Sequence, residues 1–301
     1  MLNKTSYGVP NHRTHRMAGW GVLIIGLAVI AGSALWLLLS TGGEIRYTAD
    51  HTGTRPMWHI WIPAVVGLAL ARLTPPPPRT APESGAPATR GVCLQAGVLL
   101  ASAVVFAVAL RLVTGGHDPE PAHTILKLVL LLAVPLLLFR VSRDDAADRE
   151  PARERAAGQR RYGPVVPVAA WLFLSFIGPF ARPSSDWAAD AGPVTLLITM
   201  VLVFALNALL EEVFYRRWLQ TRWERVIGRW PAIALASLPF AAWHVGIHGT
   251  GHLVTDLASA LVHQGVLGLF LGYLWSRYRL MWPILAVHGA INAAPALLGM
   301  L

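Results

Sequence analysis

Charge and cysteine are both scarce in this chain. Only 14% of its 301 residues are Asp, Glu, Lys or Arg, while 54% are apolar and mean hydropathy is +0.50. A water-soluble domain of this length needs a larger charged surface, so the shortage indicates a membrane protein. The single cysteine, Cys93, excludes an internal disulfide and any cysteine-based metal cluster. No Gly-x-Ser-x-Gly elbow is present to support a serine hydrolase, and no His-Glu-x-x-His to support the usual zinc protease. The chain also lacks an internal repeat, which weakens a transporter reading. Its net charge of +9 does not mark a nucleic-acid partner, because the basic residues lie in short segments between apolar runs.

Those runs are what the chain has in abundance. Nine are candidate spans, at 17–39, 57–73, 91–113, 122–139, 164–180, 194–215, 231–247, 253–275 and 280–298, with the second and seventh marginal on length. The expected fold is therefore all-α and polytopic, with about nine transmembrane helices. The first run follows a basic start but is too long for a signal-peptide core and has no clear cleavage site, so it is read as a retained helix. Residues 75–88 read as a stiff Pro-rich linker and 140–161 as a mixed-charge loop or surface helix. Counted through nine alternations, 20 basic residues fall on one side and three (Arg46, Arg55, Arg182) on the other; Arg111 and Lys127 lie near span ends. That partition places the N terminus in the cytosol. Trp20, Trp36, Trp58, Trp61, Trp275 and Trp282, near span ends, read as interfacial anchors.

Three polar intrusions interrupt the late apolar runs. Glu211 and Glu212 stand side by side in the sixth run, where an acidic group costs roughly 2.5–3.5 kcal/mol at a helix centre. Glu212 and Arg216 are four apart and can pair on one face, which leaves Glu211 sharing its face with Asn207 and Tyr215. Phe240 with His244, and His288 with Asn292, repeat the spacing of four. At about 1.5 Å of rise per residue, Glu211 lies about 16 Å below Arg222, His288 about 13 Å below Arg279, and His244 about 22 Å below Arg229. Helix tilt can bring the three groups to one level. The bland alternative for the acidic pair is an ion-paired helix end facing the cytosol. His263 lies in the eighth span at about the depth of His244 and is a candidate to line the same cavity, whereas His248 and His252 read as solvated loop residues.

Glu-Glu-x-x-x-Arg at 211–216, Phe-x-x-x-His at 240–244 and His-x-x-x-Asn at 288–292 together resemble the signature of the CPBP (Abi) family. This is the CAAX prenyl protease type 2 and bacteriocin-processing group of intramembrane proteases. The resemblance covers about residues 194–298 and implies a protease core at 164–301, with 1–163 supplying further helices and a cytosolic linker. It implies that Glu211 activates a water with His244, that His288 and Asn292 bind the oxyanion, and that Glu212 and Arg216 form a supporting pair. It implies no cofactor, and as partners a lipid bilayer and a peptide or protein substrate, either a prenylated C terminus or a leader peptide. Arg217 stands where the family often has Gly. The residue chemistry agrees with these roles, since a carboxylate in a poorly solvated cavity can act as general base and imidazole and amide N–H groups stabilise oxyanions. Two alternatives stay open: a zinc ion held by Glu211, His244 and His288, with Asn292 a poor fourth ligand, and a non-catalytic transporter or membrane scaffold that uses the polar helices as an ion path.

Overall fold

The computed structural model describes residues 12–46, 53–74, 89–113, 120–142, 162–184, 188 and 191–300. The extreme N terminus, the 75–88 linker and nearly all of the 140–161 segment lie outside them. Each of the nine apolar runs forms a helix: α1 (His12–Thr41), α2 (Trp58–Leu73), α3 (Arg90–Val113), α4 (Ala122–Ser142), α5 (Val165–Phe176), α6 (Pro193–Ile227), α7 (Arg229–His248), α8 (Leu253–Tyr278) and α9 (Met281–Gly299). A short antiparallel hairpin, β1 (Glu44–Arg46) with β2 (Thr54–Pro56), joins α1 to α2 in the register Ile45 opposite Arg55. The protein is an all-α polytopic membrane protein.

Among the described residues, seven helices are long and apolar enough to cross a membrane, and α2 and α5 are shorter. The second run is marginal as expected, but the other short helix is the fifth rather than the seventh. Helix α5 stops at Phe176 because Gly178 and Pro179 follow. The Ile177 and Gly178 amides both close onto the Phe173 carbonyl, and proline has no amide with which to continue the ladder. Helix α7 begins directly after Gly228, whose φ of +91° turns the chain out of α6. It then has the length that residues 231–247 alone do not provide.

Helix α8 forms the centre of the bundle, with 78% of its most apolar window buried. Helices α2 and α7 pack directly on it, α1 packs on α7, and α3 packs on α4, α7 and the end of α6. Close approach is achieved with small residues: a Cβ on Gly67 of α2 would lie 2.7 Å from the Phe270 ring of α8. The outer faces are apolar instead of polar. Ile24, Ile25 and Leu39 of α1 are exposed, and the first eleven residues of α6 bury none of their side chains. Such surfaces need lipid around them.

The tryptophans divide into two groups. Trp20, Trp36, Trp58 and Trp282 are exposed, as anchors should be. Trp275 is buried and donates to Thr221 Oγ1 at 3.0 Å, and Trp61 donates to the Val262 carbonyl at 3.1 Å, so these two are packing residues.

Candidate active site

Helix α6 changes form where it carries its acids. Glu211 and Glu212 occupy a single α-turn, Leu210–Glu212, between π-helical stretches at Phe204–Leu209 and Val213–Gln220. Widened turns of this kind are rare and concentrate at functional sites. Helix α4 widens in the same way just after Lys127, and α8 does so at His263 and Gln264.

The two glutamates face different partners. Glu212 Oε2 accepts from Arg216 Nε at 3.1 Å, and Glu212 Oε1 accepts from His288 Nδ1 at 2.8 Å. Both Glu212 and Arg216 are fully buried, so the pair is no solvated helix end. The Arg216 guanidinium also lies over the Phe240 ring, 4.7 Å from its centre. Glu211 is not left alone, in contrast to the pairing expected from spacing within α6. Lys127 of α4 donates to Glu211 Oε1 at 2.8 Å and to Asn207 Oδ1 at 2.7 Å. Lys127 lies near the start of α4, but its side chain is only 1% exposed. The signal that could have found it is a lone lysine inside an apolar span, which must have a partner.

The other oxygen, Glu211 Oε2, is buried without a hydrogen bond and lies 3.9 Å from His288 Nε2. One turn further along α9, Asn292 Nδ2 is likewise buried without a partner, as is the Tyr215 hydroxyl. Unpaired buried polar atoms are uncommon and call for a functional explanation.

His244 meets this cluster through aromatic rings. The Phe240 ring stands 5.4 Å from His244 and 5.9 Å from His288, in both cases edge to face. Trp243 stacks on His244 with 3.8 Å between ring centres, and Lys127 Nζ lies 4.9 Å from a Trp243 ring centre. His244 Nδ1 is 2.8 Å from the Phe240 carbonyl. A carbonyl only accepts, so Nδ1 carries the proton and the neutral ring keeps its lone pair on Nε2.

His263 hydrogen-bonds Arg182, whose Nη2 lies 3.4 Å from its Nε2. His248 is not a solvated loop residue. It is half-buried, with its ring 5.7 Å from His244, its carbonyl accepting from Arg46, and its Nδ1 3.4 Å from Gln264 Nε2. Together with Thr41, Glu44, Asp256 and Ser259 it lines a cavity of about 160 Å³.

Among the described residues, no three His, Cys, Asp or Glu side chains form a metal-holding group. The ammonium on Glu211 Oε1 would also repel a dication at that carboxylate.

Residues 193–294 match the family model described as type II CAAX prenyl endopeptidase Rce1-like. That stretch, about a third of the chain, contains all three motifs. Neither a curated protein nor a solved structure matches the chain.

Proposed function

Because residues 193–294 carry a domain of the type II CAAX prenyl endopeptidase Rce1-like family, we propose that this multi-pass membrane protein is an intramembrane endopeptidase. The observation that carries this reading is the buried cluster in which Glu211 Oε2 lies unbonded, 3.9 Å from His288 Nε2, while Glu212 holds the other nitrogen of the same ring.

Each group has a role in the proposed reaction. A water is oriented by the lone pair on His244 Nε2 and gives a proton to Glu211 Oε2 as its oxygen adds to the scissile carbonyl. Negative charge then builds on the carbonyl oxygen, and the N–H groups of Asn292 Nδ2 and His288 Nε2 bind it. Donation from His288 Nε2 needs a ring protonated on both nitrogens, and Glu212 at Nδ1 balances that charge. Glu211 returns its proton to the leaving amine as the C–N bond breaks. No metal takes part. Glu212 and Arg216 hold the ring and the helix in place.

The substrate class that follows from the family description is a prenylated C-terminal peptide. A bacteriocin-type leader peptide is the other class implied by the motifs. Purified protein in detergent, given a quenched farnesylated CAAX peptide, should release the residues beyond the prenylated cysteine, identified by mass spectrometry. If this peptide is not cut the prenylated-substrate class fails, and if a leader-peptide substrate is left intact as well the protease reading fails. From the partition of basic residues we further propose that the N terminus and the 140–161 segment lie on the cytosolic side of the cell membrane; cysteine labelling that put them on opposite sides would contradict it.

A further inference from the structure

The residue that holds Glu211 comes from a part of the chain outside the family-matched stretch. Lys127 is buried inside an apolar helix, where a lone ammonium costs several kcal/mol. Its contacts account for its being there. An ammonium has three N–H donors; one reaches Glu211 Oε1 at 2.8 Å and a second Asn207 Oδ1 at 2.7 Å, and the charge also stands over the Trp243 ring.

These bonds treat the two carboxylate oxygens differently. Oε1 is tied down, while Oε2 is buried, unbonded and turned to within 3.9 Å of His288 Nε2. A carboxylate held at both oxygens would have fewer lone pairs left to take a proton from water, and one held at neither would be free to rotate. The same ammonium touches the Trp243 ring that stacks on His244. One side chain of α4 therefore braces both groups proposed to activate water. Helix α4 also passes into its π-helical stretch directly after this residue.

We infer that Lys127 is a positioning residue which, itself held by Asn207 Oδ1, clamps Glu211 by Oε1 so that Oε2 alone is presented for proton transfer. The inference rests on the protease reading for its catalytic consequence, but the clamp itself can be tested without turnover.

The variants are Lys127→Met, which removes both bonds at similar length, and Lys127→Arg, which keeps charge and donors. On the farnesylated peptide, Lys127→Met should lower kcat by about 100-fold, the size expected for misplacing a reacting group by about 1 Å, with KM within about twofold. Lys127→Arg should recover at least about a tenth of the wild-type kcat, a recovery that a loss of packing alone would not give. The second readout is modification by dicyclohexylcarbodiimide, an apolar reagent for carboxyl groups within membranes, located by peptide mass spectrometry. Glu211 should be protected in the wild type and in Lys127→Arg but labelled in Lys127→Met, with Glu212, still tied to Arg216, as the internal control. Equal labelling of Glu211 in all three proteins would overturn the clamp. Unchanged kcat per folded molecule in Lys127→Met would overturn the positioning role. If the wild type cuts no peptide while the labelling pattern holds, the protease reading fails and the clamp stands.

Discussion

Two of the polar clusters among the described residues are bonded in different ways. In the cluster of Lys127, Glu211, Glu212, Arg216 and His288, the bonds run from side chain to side chain, and they join five positions on three helices. In the cluster around Asp256, most bonds end on backbone. Asp256 accepts from the amides of Thr250 and Gly251 and from the Thr250 hydroxyl, and Arg46 donates to the His248 carbonyl. The second cluster also borders a cavity of about 160 Å³, while the first is packed among Phe214, Phe240 and Trp243. Side-chain bonding of the first kind fixes charges relative to one another and contributes little to the path of the chain. Backbone bonding of the second kind closes the loop between α7 and α8. The first arrangement suits chemistry and the second suits structure.

Mutations can break that contrast, beginning with the largest effect. Glu212→Gln keeps shape but strips the charge partner from Arg216, and breaking a buried ion pair costs about 3–5 kcal/mol. Folded yield and melting temperature should fall together with turnover. Asn292→Ala should separate function from stability, because Nδ2 has no hydrogen bond to lose. It should cost roughly 2.7–4 kcal/mol of transition-state stabilisation, read as a drop in kcat with the melting temperature unchanged. Asp256→Ala should show the opposite pattern. Loss of its bonds to Thr250 and Gly251 costs about 1–3 kcal/mol of stability, read by thermal unfolding, and turnover per folded molecule should not change. A large loss of turnover in this last variant would mean that the two clusters act as one site.

How far the sequence foretells these features depends on the distance a local rule reaches. The Glu212–Arg216 pair is a contact within one helix, and the spacing of four is enough to find it. The nine helices follow from apolar length, although Gly178 and Pro179 shorten the fifth in a way that an average over the run conceals. Contacts between helices are a different matter. Rise per residue places Glu211 and His288 at similar depth but cannot say that Lys127, on a helix earlier by 84 positions, stands between Glu211 and Asn207. The depth of Glu211 counted from Arg222 also requires Arg222 to reach water. In the structure that side chain is 2% exposed, bonded to Gln95 and laid over the Phe139 ring. A basic residue near a span end is thus a poor surface marker where another helix covers it. His248 carries the same lesson, since a Gly-rich turn looks solvated until the chain folds a hairpin and α8 against it.

In the proposed reaction Glu211 takes the proton from water without a metal. This step is tested most directly by measuring kcat on the farnesylated peptide for wild type and Glu211→Gln, both treated with a membrane-permeant chelator and checked for residual metal. Metal-depleted wild type should keep its activity, and Glu211→Gln should fall by at least about 100-fold. Near-normal turnover by Glu211→Gln would contradict this mechanism, as would wild-type activity that is lost on chelation and restored by stoichiometric zinc.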